Sequence, residues 1–203
     1  CEALEAVALP ASLTKIGDLA FLTTSLADGL NLAHLLELCE LGTGFCDRSE
    51  VSKVVLPAAL RIEKIPDQFL TTANNIVEID LSCLLSAETI GDNLCYGARS
   101  LRRVTLPPSV TSIGDGAFQN AGLAELDLSG LWELKVIGAR FCARCADLCA
   151  VDLPDSLRLL GSGAFGASSS RDVLATSSSA SLTGSDDHDG RSDSAPSAAI
   201  PVA

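Results

Sequence analysis

A burst of alternating aliphatic residues returns at a nearly constant interval along this 203-residue chain. The middle residues of successive bursts are separated by 23, 24, 25, 25, 22 and 25 residues. A repeat of this length is typical of a solenoid, in which each unit buries the face that its neighbour leaves open. The seven middle residues are Val7, Leu30, Val54, Ile79, Val104, Leu126 and Val151.

The remainder of each unit repeats as well. A second apolar residue followed by glycine, as in Ile16-Gly17, stands after the burst in six units, and Ile65-Pro66 replaces the pair in the third. All six phenylalanines lie four or five residues after that apolar residue, and Leu94 takes the position in the fourth unit. Each burst therefore predicts a short strand, the glycine a turn, and the phenylalanine segment about one helical turn whose ring fills the interior.

Two stretches carry a family resemblance: LRRVTLPPSVTSIGDGAF, which begins at Leu101, and LCAVDLPDSLRLLGSGAF, which begins at Leu148. They resemble the repeat of the BspA-like (Treponema pallidum-type) branch of the leucine-rich repeat superfamily. Units two, four and six depart from it, with LNLAHL, IDLSCL and LDLSGL at the Leu-Pro step. The resemblance implies an α/β fold: a right-handed leucine-rich-repeat solenoid of about seven repeats, with a parallel concave sheet and short helical or irregular convex turns.

The composition changes abruptly after Gly166. We expect a solenoid over residues 1–167 and a Ser/Ala/Asp-rich disordered tail over 168–203, because the tail has no periodic apolar face. An eighth strand, from a degenerate repeat, is expected to begin at Val173-Leu174. Since the chain starts at Cys1 in the middle of a pattern, we take it for a fragment or a processed piece.

The charge and the distribution of apolar residues argue against two classes of partner, nucleic acid and membrane. The chain has 14 Lys and Arg against 26 Asp and Glu, a formal charge of −12, which opposes binding to a nucleic-acid backbone. No window approaches the roughly 20 consecutive apolar residues that span a bilayer, so we expect no membrane insertion within this chain. A protein partner is the expectation that is left, and the oligomeric state stays open.

The stretch LLGSGAFG, from Leu159 to Gly166, matches the G-x-G-x-x-G loop that covers ATP in protein kinases. A kinase also needs a lysine on the following strand, and every lysine here precedes the motif. IGDLAF and IGDGAF occupy the same register in units one and five. The motif therefore predicts a structural turn, and we expect no nucleotide and no other cofactor.

The cysteine positions favour buried thiols over chemistry. Cys46, Cys95 and Cys142 each follow the phenylalanine position in alternate units, about 10 Å apart, whereas a disulfide needs Cα atoms within about 7 Å. Cys142 and Cys145 form a C-x-x-C with Cys149 nearby, which is a weak signal for a metal or redox cluster without a second pair or a histidine. With only two histidines in the chain, we predict no metal site, no catalytic residues and no enzyme activity.

The outward-facing positions of the strands contain the candidate site. Lys53, Glu78, Arg103 and Glu125 alternate in sign across four strands about 5 Å apart. They form either a solvated ion-pair ladder or the middle of a concave recognition face. The second outward column puts Asp127 beside Asp152, two like charges. The candidate partner-binding residues are Lys53, Glu78, Asp80, Arg103, Thr105, Glu125, Asp127 and Asp152.

The resemblance also implies a function. BspA-like proteins are typically secreted or surface-displayed adhesion and host-interaction proteins, so we expect a non-enzymatic protein-binding module that uses the concave strand face, with the serine-rich tail as a stalk. The alternative is a cytoplasmic leucine-rich-repeat scaffold or regulatory protein. Eight cysteines without visible pairing favour that alternative.

Overall fold

The computed structural model describes residues 4–168 and 174–175. Successive repeats form stacked coils, and most coils contribute one short strand to each of two parallel arrays. The array built from the sequence bursts contains β2 (Leu30–Asn31), β4 (Val54–Val55), β6 (Glu78–Asp80), β8 (Arg103–Thr105), β10 (Glu125–Asp127), β12 (Ala150–Asp152) and β14 (Leu174–Ala175). We call it the first-sheet face. The burst around Val7 is irregular, and Val7 is exposed.

The second array contains β1 (Lys15–Ile16), β3 (Glu40–Leu41), β5 (Lys64–Ile65), β7 (Thr89–Ile90), β9 (Ser112–Ile113), β11 (Val136–Ile137) and β13 (Leu159–Leu160). We call it the second sheet. Five of its strands pair without a break in the order β13-β11-β9-β7-β5, whereas β1 and β3 form a separate pair. The first-sheet face is divided into β2-β4, β6-β8 and β10-β12-β14. Every pairing joins parallel strands of neighbouring coils.

One residue explains the break between β3 and β5. The amide of Gly91 donates to the carbonyl of Ile65 at 2.9 Å, and that of Gly114 donates to Ile90 at 2.9 Å. Pro66 holds this position in the third coil and has no N–H to donate. The second sheet is therefore interrupted at the one coil in which proline replaces glycine.

The segment after each second-sheet strand is a turn, not a helix. Its amides donate to the next coil: Phe21 to Phe45 at 3.0 Å and Phe118 to Phe141 at 2.8 Å. An amide engaged across coils cannot bond within a helix, and left-handed residues such as Asn93 (φ 56°) recur in every turn. The described residues contain strands and turns only, so the expected α/β class and helical outer turns are corrected to a β-solenoid. We call this set of bonds the turn ladder.

The phenylalanine column forms the centre of the core. Phe45 and Phe69 are stacked with ring centroids 5.0 Å apart, and Phe118 meets Phe141 edge-to-face at 5.4 Å. Leu94 fills the gap in the column and is fully buried. Phe165, in the last described coil, is only partly buried.

The repeated Gly-Asp step brings coils into close contact. A methyl group added at Gly91 would lie 2.6 Å from the Asp67 nitrogen and 2.8 Å from the Ile65 oxygen, closer than Cβ atoms approach. The aspartates join the same coils, because Asp67 Oδ1 accepts a hydrogen bond from the Asp92 amide at 2.9 Å. In LLGSGAFG, Gly161 abuts the Ala139 backbone in this way and Gly163 has a φ of 60°. Close backbone contact at Gly161 and a left-handed backbone at Gly163 thus explain two of the three glycines in this stretch.

At the C-terminal end the structure describes one strand of the expected eighth unit, β14. β14 pairs with β12, one residue beyond the expected start of an eighth strand. The rest of the predicted tail at 168–203 lies outside the described residues, apart from Ser168. Within the described ranges, no helix has the length and apolarity needed to cross a bilayer.

Candidate functional site

Four of the eight candidate residues lie on one pair of strands. Glu78 stands opposite Arg103 in the β6-β8 register, and Asp80 stands opposite Thr105. The Arg103 guanidinium and the Glu78 carboxylate are 3.6 Å apart, and both side chains are more than half exposed. An exposed ion pair of this kind stabilises a fold by at most about 1 kcal/mol.

The predicted four-residue ladder is not continuous. Lys53 precedes β4 and Glu78 begins β6, but β4 and β6 belong to separate sheets, as do β8 and β10. Glu125 stands opposite Ala150 on one side, but on the other side it has no strand pairing with Arg103 because β8 and β10 are in separate sheets. Of the four alternating charges, Glu78 and Arg103 form the one ion pair among the described residues. Asp127 does stand opposite Asp152, as predicted.

A cleft of about 600 Å³ lies where the first-sheet face is open between β4 and β6. It contains charged side chains of both signs beside apolar ones. Burial and the charge of Asp80 raise the pKa of Cys83, so this half-buried thiol stays protonated near neutral pH. The lining residues are Ser52, Lys53, Val54, Val55, Leu56, Val77, Glu78, Asp80 and Cys83. Sequence reasoning found three of them.

Asp80 and Asp127 have a local structural role that sequence reasoning missed. The Ser82 amide donates to Asp80 Oδ1 at 2.9 Å, and the Ser129 amide and hydroxyl donate to Asp127 Oδ1 at 2.9 and 2.6 Å. These bonds lower the pKa of both carboxyls. Asn31 closes the same turn in the second coil. The sequence signal for these turns was present: in coils two, four and six the Leu-Pro step is replaced, and Asn or Asp precedes the altered step.

The cysteine column agrees with the sequence prediction. Cys46, Cys95 and Cys142 are fully buried, and all seven cysteines of the described residues carry free thiols. Burial raises the pKa of Cys46 and of Cys95 to about 12 and that of Cys142 well above its usual range. Thiols this hard to ionise pack as small apolar groups and are poor nucleophiles.

The described residues offer little for metal or acid–base chemistry. They contain no group of three or more His, Cys, Asp or Glu side chains arranged to hold a metal ion. Cys145, the partner of Cys142 in the C-x-x-C, donates its thiol hydrogen to the Phe118 carbonyl at 3.0 Å. The His34 ring nitrogen lies 3.0 Å from the Leu9 carbonyl of the preceding coil. His188 lies outside the described residues.

The sequence also matches a known repeat model. The BspA type leucine rich repeat region matches in six copies, over residues 1–123 and 63–185, which together cover more than half of the chain. The chain belongs to the BspA-type leucine-rich repeat family. A BspA-type solenoid presents an extended surface that typically serves as a protein-binding scaffold and not as an enzyme.

One solved structure supports the fold of this BspA-type chain. A leucine-rich repeat protein from Bacteroides ovatus ATCC 8483 superposes with a TM-score of 0.67 at 20% identity, over 80% of this chain. The BspA-type chain spans only 40% of that structure's length.

Two further solved structures are less similar. A leucine rich cell surface protein from Faecalibacterium prausnitzii A2-165 has a TM-score of 0.39 at 17% identity, over 75% of this chain and 62% of its own. The pneumococcal vaccine antigen PcpA has 0.35 at 17%, over 73% and 49%. No curated protein sequence matches this chain significantly.

Proposed function

We propose that this chain is a non-enzymatic protein-interaction module that binds its partner through the first-sheet face. The observation that carries the proposal is the cleft between β4 and β6. Its volume of about 600 Å³ is that of a typical ligand pocket, and it lies on the face that the sequence marks as charged. An apolar side chain of a partner would fill it against Val55 and Leu56.

The charged side chains around the cleft would fix the orientation of the partner. Lys53, Glu78 and Asp80 line the cleft, and Arg103 lies next to Glu78 in the neighbouring coil. Alternating charges at the rim of an interface select partners by their complementary pattern and contribute less to raw affinity. The other end of the face is acidic, with Glu125, Asp127 and Asp152, and would contact basic groups.

The cellular setting is part of the proposal. The family resemblance supports a secreted or surface-displayed protein of the adhesion or host-interaction type. In that setting residues 1–167 would be the binding unit and 168–203 a serine-rich stalk. No enzymatic step is included, because the ion pair of the first-sheet face is exposed and Cys83, the thiol that lines the cleft, stays protonated near neutral pH.

The second candidate is an intracellular scaffold or regulatory protein. The free thiols favour it, since Cys39 and Cys149 are exposed and would be open to oxidation outside the cell. Counting thiols in the full chain, denatured without reductant, separates the two candidates. Free thiols at every cysteine would favour the intracellular protein, and disulfide-bonded cysteines would favour the secreted one.

A charge-inversion experiment tests the binding face. Glu78→Lys combined with Arg103→Glu keeps an ion pair but inverts its polarity, so we expect folding to be unchanged and partner capture to be lost. The matched control is Lys15→Glu with Glu40→Lys, which inverts an ion pair of 2.6 Å on the second sheet. The control should capture the same partners as the unaltered chain. Equal capture by both variants would overturn the proposal.

A further inference from the structure

Another cleft, of about 620 Å³, lies on the turn ladder, where the ladder passes from the third coil to the fifth. Its lining is polar and includes Tyr96, the single tyrosine of the chain. None of the described residues that line it is acidic, although the chain has 26 Asp and Glu. We call it the tyrosine cleft. Its lining residues are Thr72, Asn74, Tyr96, Gly97, Arg99 and Asn120.

The centre of the tyrosine cleft has no side chain. The Thr72 amide donates to the Tyr96 carbonyl at 2.6 Å. The Gly97 amide in turn donates to the Gln119 carbonyl at 2.8 Å, so three consecutive coils are in contact here. Thr72, Gly97 and Asn120 hold the same position in these coils, with φ of 52°, 70° and 59°. Because the middle position is glycine, the floor of the cleft is backbone, with side chains on either side.

The fold does not use the polar side chains of the tyrosine cleft. Within the described residues, the Tyr96 hydroxyl, the Arg99 guanidinium and the side-chain amide of Asn120 make no hydrogen bond or ion pair. Thr72 Oγ1 is buried and has no hydrogen-bond partner among the same residues. Asn74 Oδ1 accepts the backbone amide of Arg99 at 3.5 Å, which leaves its side-chain nitrogen free to donate. A buried hydroxyl without a partner is unusual in a folded protein, and a ligand at the site would explain it.

The chemical groups of the lining select the class of ligand. Hydroxyls and side-chain amides both donate and accept hydrogen bonds, as the hydroxyls of a sugar do. Tyr96 is half-buried and adds an aromatic ring against which the apolar face of a sugar ring can pack. No Leu, Ile, Val or Phe of the described residues lines the cleft, so a lipid chain or an apolar peptide would find little to contact.

Arginine gives the tyrosine cleft a local positive charge. The Arg99 guanidinium is exposed, and a guanidinium binds a carboxylate through two parallel hydrogen bonds. A second cation lies beside it, because Arg102 Nη1 donates to the Arg99 carbonyl at 2.9 Å. The column of Gly97 also has exposed arginines two coils away on each side, Arg48 and Arg144. In a chain of net charge −12, this local charge favours an anionic ligand at this place.

We propose that the tyrosine cleft binds an acidic sugar, a six-membered sugar ring that bears a carboxylate. The carboxylate pairs with Arg99, and the ring packs against Tyr96. The sugar hydroxyls bond with the side chains of Asn74 and Asn120. Rotation of Thr72 about χ1 exchanges its methyl group for its hydroxyl, which brings the unpaired hydroxyl to the same ligand. The cleft shares no residue with the first-sheet face, so the inference is independent of the proposed function.

The NMR signal of one residue tests the proposal. Because Tyr96 is the single tyrosine, the chain made with isotope-labelled tyrosine gives ring signals from this residue alone. The full chain is titrated in turn with the methyl glycosides of glucuronic acid and galacturonic acid and with N-acetylneuraminic acid, near physiological ionic strength. At least one of these sugars is expected to give a saturable shift of the ring signals. Arg99→Gln should raise the Kd for that sugar by about tenfold or more.

Matched controls separate this site from a general effect of charge. Arg158→Gln removes an exposed arginine directly before β13 and should leave the Kd unchanged. The methyl ester of the bound sugar keeps every hydroxyl but not the charge, and it should bind about tenfold more weakly or worse.

Four results would each overturn the proposal. The first is the absence of a saturable shift with all three sugars. The second is binding by Arg99→Gln that equals that of the unaltered chain. The third is equal binding of the acid and its methyl ester. The fourth is binding of acetate, inorganic phosphate or a tetraglutamate peptide as tight as that of the sugar, which would indicate a site for simple anions or for acidic peptides.

Discussion

The second sheet with its turn ladder and the first-sheet face are built from the same coils but differ in continuity. In the second sheet five strands pair without a break, and glycine recurs where the backbone of one coil touches that of the next coil. The first-sheet face is divided into three pieces, with a cleft between β4 and β6. Residues that recur in successive coils therefore lie where the backbones of neighbouring coils are in contact. Residues that differ from coil to coil lie on the surface that is available to a partner.

The largest predicted effect concerns the core of the turn ladder. Phe118→Ala should lower the free energy of unfolding by about 4 kcal/mol, because the fully buried ring would leave a cavity beside Phe141. Urea unfolding monitored by circular dichroism measures the loss. Phe165→Ala should cost clearly less, since that ring is partly exposed at the end of the column. Equal losses would show that position in the column does not matter.

The next effect concerns the close approach of the coils. Gly91→Ala should lower the free energy of unfolding by about 3 kcal/mol, because the added methyl group meets the backbone of Asp67 and Ile65. Gly17→Ala is the matched control: a methyl group there has no atom within 4 Å, and its effect should stay below about 0.5 kcal/mol. Similar losses for both would contradict the backbone-contact explanation for the repeated glycine.

The sequence predicted the features that depend on the period. The stacking of coils, the phenylalanine column and the buried Cys46, Cys95 and Cys142 all follow once each unit must bury the face of its neighbour. The glycine after the second apolar residue was predicted to make a turn, whereas in the structure it allows close contact between coils. The sequence did not predict the absence of helix. The local pattern of Gly, Ala and Phe does not tell whether an amide bonds within its own segment or to the next coil.

The candidate site was predicted less completely. Alternation of sign at Lys53, Glu78, Arg103 and Glu125 suggested a continuous ladder, because equal strand spacing was assumed. The openings between β4 and β6 and between β8 and β10 depend on the relative placement of whole coils, which the outward residues do not encode. Asp80 was predicted to face a partner, yet its carboxylate also closes a turn with Ser82.

A smaller effect tests that turn on the first-sheet face. Asp80→Ala removes the acceptor for the Ser82 amide and should lower the free energy of unfolding by about 1 kcal/mol. Asp80→Asn should retain most of the stability, because Asn31 closes the same turn in the second coil. Urea unfolding of the two variants gives the comparison. If the asparagine variant is as unstable as the alanine variant, the charge matters and the turn acceptor does not.

The smallest predicted effect is the pH dependence of the stability that the Asp80–Ser82 turn provides. Hydrogen bonds from Ser82 lower the pKa of Asp80 in the folded chain, so their stabilisation is fully present above the pKa of an unfolded aspartate, about 4. It is lost as pH falls through the lower folded pKa. Between about pH 4 and pH 2, the unaltered chain should therefore lose stability relative to Asp80→Asn. A constant difference in unfolding free energy over that range would contradict this assignment.

Hydrogen exchange of the chain, alone and with a captured partner, tests the central contrast most directly. In the free chain we expect slow exchange at the turn-ladder amides of Cys46, Leu70, Cys95 and Phe118, and faster exchange over residues 52–56 beside the cleft. The partner should slow exchange at 52–56 and 77–83 and leave residues 89–92 and 112–115 of the second sheet unchanged. Protection confined to the second sheet, with the cleft unaffected, would contradict the account.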